Sequence, residues 1–414
     1  MKGKYFPIIT ETACQLKWAW STIYLNTGVT RSCHRTGESE LTADNFLDFH
    51  NTPLKLEERT AMLQGQWPKQ SCSYCKNIED AGGISDRIRM QSIPGLSPNE
   101  LFNDPTAIQV DPTLVEVYFS NACNLGCLYC TDTLSSVIDA ENRKFGLFEQ
   151  GGVRIESSPG HFKELVPHFW SWFEHSFQKV RRLHVLGGEP FYQREVDKLL
   201  DMIEKYPNPD CELNIVTNLM VSESRVRQFV DRFEQLLVKR FIKRVDITCS
   251  IDCWGPEQEY VRWGINLEHW LKNFEFLLSK RWLTLNINQT IMPLTIKTMP
   301  ELLTQLAEWR KQRHVGHFFS GIEPAPDYLR LDIFGVDLFK QDIERIMQLM
   351  PQENEQDIAA HGYVKGILNI ILKSEMQVDK IKDLIIYLEE KDRRRGTNWE
   401  IVFPWLTEYK KYVV

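Results

Sequence analysis

The chain has 414 residues, with 49 Lys and Arg against 56 Asp and Glu and a net charge of −7. That length accommodates a large α/β domain with smaller attachments, and a mildly acidic balance without a basic tail excludes non-specific nucleic-acid binding as the main activity. No stretch reaches ~18 uncharged apolar residues, so no membrane partner is expected, and residues 1–10 are charged without the apolar core of a signal peptide.

A cytoplasmic protein is therefore expected, and its ten cysteines are not a disulfide framework, because that compartment keeps thiols reduced. They fall into three groups along the chain. Residues 18–25 (WAWSTIYL) read as a strand, 26–28 as a turn and 29–33 as a returning strand, which together make a β-hairpin. Cys14 enters the hairpin and Cys33 leaves it, and Cys72 and Cys75 follow in a C-x2-C knuckle. Two thiols plus two make a closed four-ligand site, open to zinc or to an iron–sulfur cluster. Residues ~90–112, with Pro94, Pro98, Pro105 and Pro112, read as a linker.

A strand–helix alternation follows. Strand 114–120 leads into Cys123, Cys127 and Cys130, a C-x3-C-x2-C loop. A helix over 162–178 leads to strand 183–186, which closes on Gly187-Gly188-Glu189-Pro190. Helix 192–205 leads to strand 212–216, then Thr217 and Asn218; helix 221–238 leads to strand 243–250, then Asp252. Helix 267–279 leads to strand 282–291, and helix 299–312 to a sixth strand over 315–323. Six such units predict a parallel sheet with right-handed crossovers, closed as a partial (β/α)6 barrel with its chemistry at the C-terminal strand ends. After ~330 the period is helical, over 337–350, 355–373 and 375–393. The expected divisions are a small module over 1–90, a linker over 91–112, the barrel over 113–330 and a helical extension over 331–414.

Three thiols are the informative number, because a closed structural site wants four protein ligands. Two glycines at 187 and 188 let backbone approach a ligand closely, and Glu189 is placed to accept from a cation. Along strand four, Asp246, Thr248, Ser250 and Asp252 alternate with Val245, Ile247, Cys249 and Ile251, so the polar set faces the interior. Cys249 and Cys211 are then inert core thiols. Cys253, past the strand end, is a candidate hydrogen-atom donor. Thr217 and Asn218 read as a strand-to-helix turn or as part of the site. Asn288, Thr290 and Glu323 face the interior only if strand register holds, and residues 254–262 form a loop that contacts substrate or packs its own aromatics.

The three-cysteine loop with Tyr129 before its last thiol, followed one strand later by Gly-Gly-Glu-Pro, resembles the signature of radical S-adenosylmethionine (radical SAM) enzymes. The resemblance implies that Cys123, Cys127 and Cys130 hold a 4Fe–4S cluster whose remaining iron takes the amino and carboxylate groups of S-adenosylmethionine (SAM). It implies that Tyr129 packs beside the cluster, that Gly187, Gly188, Glu189 and Pro190 serve the SAM amino group, and that Thr217, Asn218, Ser250, Asp252 and Glu323 line the SAM site. The hairpin and knuckle, with residues 79–87 after them, resemble the twitch or SPASM-type auxiliary modules of that family, which implies a second 4Fe–4S cluster on Cys14, Cys33, Cys72 and Cys75. Such modules usually follow the barrel; here the module precedes it.

The implied activity is reductive cleavage of SAM to a 5′-deoxyadenosyl radical that abstracts hydrogen from a substrate. The substrate class implied first is a ribosomally made precursor peptide, undergoing epimerisation, crosslinking or backbone excision; a small sugar, amino acid or nucleoside is the alternative. With no winged-helix-like module to grip a leader peptide, a peptide-modifying version needs a separate recognition protein. An electron donor of the flavodoxin or ferredoxin kind is also implied. A non-catalytic protein with two metal centres is the contrasting class, disfavoured by the complete set of motifs.

Overall fold

The computed structural model describes residues 10–34, 36–68, 71–80, 85, 87–88, 107–148, 160–321 and 326–413. Among these, eleven strands occur: β1 (Trp20–Tyr24), β2 (Val29–Arg31), β3 (Ser39–Glu40), β4 (Leu114–Tyr118), β5 (Gly126–Cys127), β6 (Arg182–Leu186), β7 (Glu212–Thr217), β8 (Arg244–Ser250), β9 (Arg262–Trp263), β10 (Thr284–Ile291) and β11 (Gly316–Gly321). Helices alternate with the strands from β6 onward, so the α/β class expected is the class observed. The chain divides into two compact units, the first of residues 1–120, 158–215 and 232–245, the second of 121–157, 216–231 and 246–414.

In the first unit β4, β6 and β7 run parallel in simple register, Glu116 opposite His184 and His184 opposite Asn214. Val115, Val117, Leu183 and Val185 are fully buried on one face, which is why these strands read as apolar alternation. Helix Arg194–Lys205 presents Val196, Leu199, Leu200 and Ile203, the spacing of a single buried stripe. The predicted hairpin is present as β1 and β2. It also continues the sheet: β1 pairs parallel with β4 from Trp20–Leu114 to Tyr24–Tyr118. The N-terminal stretch thus shares backbone hydrogen bonds with the first strand of the expected barrel.

In the second unit β8, β10 and β11 are parallel, with Ser250 opposite Asn288 and Asn288 opposite Phe318. A separate antiparallel pair, β5 with β9, joins Gly126 to Trp263 and Cys127 to Arg262. The helical extension comprises Val336–Leu349, Glu355–Ile371 and Val378–Arg395. The tail winds as a 3-10 helix, Pro404–Tyr412, and sets Trp405 edge-on to Phe334 and Phe339.

Candidate metal centres

The three-cysteine loop of the second unit is pinned from several sides. Ser135 caps helix Ser136–Phe145 by accepting from Ile138 N, and its hydroxyl donates to Leu125 O at 2.7 Å. Ser136 Oγ accepts from Cys123 N (3.1 Å) and donates to Cys123 O (3.0 Å). One helix N-terminus thereby fixes two carbonyls of the loop. Leu128 N donates to Val261 O at 2.9 Å, extending the β5–β9 pairing. Gly126 has no room for a side chain: a Cβ there would meet Trp263 Cε3 at 3.0 Å and Arg395 Nη2 at 3.2 Å.

Cys123 and Cys127 lie near enough to Cys130 to act on its thiol. Burial first, and then the neighbouring Cys127 and Cys123, push the Cys130 thiol up. Burial likewise raises Cys127, against the pull of the Arg262 guanidinium. Leu125 N donates to Cys123 Sγ at 3.5 Å and Asn218 Nδ2 at 3.8 Å, donors that favour a thiolate. None of the cysteines is in a disulfide. Among the described residues no three His, Cys, Asp or Glu stand close enough to hold one metal ion. A cubane, with its irons at separate corners, takes ligands that stand further apart. Three reduced thiols on a braced loop fit that donor set.

Of the residues expected around it, the structure brings Asn218 to the loop: its Nδ2 also donates to Asn124 Oδ1 at 2.9 Å. Thr217 is buried, and its Oγ1 accepts from Leu219 N in the turn where Leu219 takes φ +61°. Ser250 lies buried at the end of β8, beside Asn288 in register. Tyr129 and Asp252 do meet, though not as expected. Tyr129 OH donates to Asp252 Oδ2 at 2.9 Å, Arg262 donates to both carboxylate oxygens (Nε 2.8 Å, Nη2 2.9 Å), and Thr290 N donates to Oδ1 at 2.8 Å. Four donors use the acceptor capacity of one carboxylate, so Asp252 is a buried strut and has no acceptor left for a ribose. Cys253 also departs from expectation. It is fully buried, its thiol donates to Gln258 Oε1 at 3.7 Å, and burial pushes its pKa well above the ordinary value; a hydrogen-atom donor must reach substrate, and this thiol is sealed from it. Glu323 lies outside the described residues.

Sequence reading missed the contribution of helix Val378–Arg395. Tyr387 OH donates to Leu128 O within the cysteine loop. Lys391 donates to Glu141, Arg395 Nε donates to Glu141 Oε2 at 2.8 Å, and Arg394 Nη1 lies 3.6 Å from Oε1 of the same carboxylate. Glu141 thus gathers Lys391, Arg394 and Arg395, with Arg394 Nε also paired to Glu390 Oε1 at 2.6 Å. Burial and then Arg395 depress Lys391 to about 8 even though Glu141 pulls the other way. The Arg-Arg-Arg run at 393–395 was the available signal, but it reads equally well as a solvated helix end.

In the first unit, Cys14, Cys72 and the half-buried Cys33 pack among Trp18, Trp20, Met62 and Leu114. Burial pushes Cys14 up, and the Cys33 and Cys72 thiols add to it; Cys72 is raised to about 12 by burial, with Cys33 and Cys75 contributing. The four predicted thiols are therefore neighbours. Cations surround them: Lys17 is paired with Glu58, and Arg87 donates to Glu79 Oε1 at 2.7 Å and to Ala13 O at 2.7 Å. Lys55 is buried on neutral oxygens, Ser21 Oγ and Thr30 Oγ1 at 2.8 Å each and Phe49 O at 2.6 Å. Burial, then Arg59 and Lys17, push Lys55 well below the ordinary lysine value, against the pull of Glu58 and Cys33, since a buried ammonium on neutral partners is costly unless an anion lies near.

The Gly-Gly-Glu-Pro turn also belongs to the first unit. Gly187 has φ +82° and Gly188 φ +55°, and a Cβ on Gly187 would stand 2.5 Å from Tyr118 Cδ1. Glu189 is fully buried, with Oε1 accepting from Phe191 N at 2.9 Å, and Pro190 opens the 3-10 turn that follows.

No protein-family model matches the chain, and no curated protein matches it. Among solved structures it is similar to SuiB from Streptococcus suis bound to the precursor peptide SuiA (15% identity, TM-score 0.38, covering 70% of this chain and 62% of that one). It is similar to SuiB bound to S-adenosylmethionine (15%, 0.39, 83% and 70%). It is also similar to coproporphyrinogen III oxidase from Escherichia coli, a radical SAM enzyme (13%, 0.35, 59% and 56%). The chain spans less than two thirds of the first of these, and at such identity and superposition the likenesses carry no functional assignment.

Proposed function

We propose that the protein is a radical SAM enzyme acting on a ribosomally made peptide. The observation that carries this reading is the braced loop that gathers Cys123, Cys127 and Cys130, three reduced thiols held by helix Ser136–Phe145. A 4Fe–4S cluster held there would supply an electron to SAM, giving methionine and a 5′-deoxyadenosyl radical that removes hydrogen from substrate. The chain's own residues do the rest. Helix Ser136–Phe145 and Tyr387 hold the loop's carbonyls, and Arg262 and Arg395 place positive charge beside Cys127, a thiol that must ionise. Asn218 sets an amide donor on Cys123.

The four thiols of the first unit are read as a closed auxiliary iron–sulfur site, and their twitch-like arrangement supports the peptide class. A separate leader-recognition protein and a flavodoxin- or ferredoxin-like donor complete the expected system. No described helix is long and apolar enough to cross a membrane.

The test is reconstitution with iron and sulfide followed by incubation with SAM and dithionite. Production of 5′-deoxyadenosine above a Cys127→Ala control is expected, and equality with that control overturns the reading. Two cubanes require about eight irons per chain; about four irons with one zinc would remove the auxiliary cluster. Turnover of a small molecule in place of peptides encoded beside the gene would replace the substrate class.

A further inference from the structure

The first unit carries a polar row that the proposed cofactor sites do not use. Thr22 of β1, Glu116 of β4, His184 of β6 and Asn214 of β7 stand opposite one another in consecutive parallel pairs. Equal register in parallel strands puts all four on one face, opposite the face that buries Val115, Val117, Leu183 and Val185. Glu116 is the unusual member. It is 1% exposed, and Thr22 Oγ1 donates to its Oε1 at 3.1 Å. Two imidazoles face it, His184 Nδ1 and His34 Nε2, each 3.7 Å from Oε2. Burial alone would raise this carboxyl; His34, His184 and Thr22 more than reverse that and hold it below its ordinary value.

His184 completes the arrangement. Its Nδ1 side faces the carboxylate, while Nε2 is buried without a hydrogen-bond partner. A buried polar atom left without a partner is costly, and native sites that keep one usually have a ligand for it. Nε2 itself is buried, but the His184 side chain as a whole is 23% exposed, so a substrate reaches Nε2 along the open part of the ring. Trp20 lies edge-on beside it at 6.3 Å, and the stacked pair Tyr24 and Tyr118 follows one step along the same strands. A carboxylate on one imidazole nitrogen fixes the tautomer, and the other nitrogen then presents its lone pair.

We infer that Glu116 and His184 are a proton-accepting pair for a substrate lying on this face, taking the proton of an O–H or N–H group. The step is simple to balance. The substrate X–H bond breaks, its electron pair stays on X, the proton moves to His184 Nε2, and Glu116 offsets the charge of the imidazolium formed. The gap of 3.7 Å is an ion-pair distance that closes when Nδ1–H donates to a charged pair. The role rests on the reading above, because removing hydrogen from a carbon acidifies an O–H or N–H attached to it. Every peptide Cα carries such an N–H. Other groups facing Glu116 are His34, Tyr24 and Tyr118.

The test uses the full-length chain and diethyl pyrocarbonate, which acylates an imidazole nitrogen through its lone pair, with site-resolved mass spectrometry. His184 should be labelled in the native protein. Relative to the exposed His314, and at alkaline pH where imidazoles are neutral, labelling should slow on the order of fivefold in Glu116→Gln, about the value of one ordinary hydrogen bond, and recover in Glu116→Asp, which keeps the charge. Circular dichroism melts check that each variant folds; if Glu116→Gln does not, Glu116→Asp against the native rate still reads the dependence on the carboxylate. Absence of labelling at His184, or equal rates in native protein and Glu116→Gln, overturns the inference. The 5′-deoxyadenosine assay on the unsubstituted chain is separate: its failure sinks the radical reading and leaves the labelling result standing.

Discussion

Arg262 grips Asp252 through both arms of its guanidinium, Nε to Oδ2 at 2.8 Å and Nη2 to Oδ1 at 2.9 Å. Both side chains are buried, 7% and 0% exposed. The pair joins the end of β8 to β9, and β9 in turn pairs with Cys127. Arg262 also lies over the Tyr129 ring at 5.5 Å. The strut therefore sets where the cysteine loop can be.

Removing the guanidinium leaves Asp252 buried and ionised without its partner, a loss of roughly 3–5 kcal/mol. Arg262→Ala should lower the denaturant midpoint accordingly and reduce iron bound at the three-cysteine site. Arg262→Lys should recover part of the stability, because an ammonium cannot bond both oxygens in one plane. Urea titration with iron analysis checks both. An Arg262→Ala protein as stable as the parent would remove the strut.

The two thiol sets should separate experimentally. Cys33→Ser is expected to cost about four irons per chain while the three-cysteine site keeps its iron. Cys253→Ser, a change at a sealed thiol bonded to Gln258, is expected to leave both the iron content and 5′-deoxyadenosine yield unaltered. Iron counting and chromatography of the nucleoside decide each.

The Glu141 cluster predicts two opposite limbs in stability against pH. Burial would raise Glu141, but Lys391 and Arg395 outweigh it and hold the carboxyl below its ordinary 4.5. Its folded value is below its unfolded one, so its stabilisation is full above pH 4.5 and is lost as pH falls through the lowered value. Lys391, depressed to about 8 by burial and Arg395, behaves otherwise. Between about pH 8 and the ordinary 10.5 the unfolded chain keeps a proton that the folded chain has released, so stability rises with pH across that window. Glu141→Gln should flatten the acid limb and Lys391→Met the alkaline rise, read from urea midpoints.

Gly187→Ala tests the turn after β6. The substitution must take φ +82° and put a Cβ 2.5 Å from Tyr118 Cδ1, and strain of this kind costs roughly 1–3 kcal/mol. A thermal midpoint unchanged from the parent would show that Tyr118 yields freely.

The six strands of the βα alternation were legible because each is a short apolar run ending at a turn or a polar motif, and the observed bounds differ by a residue or two. That Cys14, Cys33 and Cys72 would pack together was readable from the hairpin and the C-x2-C spacing. The supports of the cysteine loop were not. Glu141 meets Lys391 across 250 residues and Tyr387 reaches Leu128 across 259, and no local period records such a meeting. The donors on Asp252 were not legible either, since alternation tells which way a carboxylate points and not that Tyr129, Arg262 and Thr290 already hold it. Two-residue strands such as β5 and β9 have no sequence signature at all. Helix Ser136–Phe145 was overlooked although Ser135 and its apolar neighbours carried a capping signal.

The parallel pairing of β1 with β4 also bears on how the protein is born. Residues 20–24 pair at once with β2 but find their parallel partner only at 114–118, so in a nascent chain the other edge of β1 stays unpaired until some ninety further residues have been made. The packing of Cys14 and Cys72 with Leu114 therefore waits for β4 to be made. A fragment released before Leu114 would leave those two thiols without the strand residue they pack with.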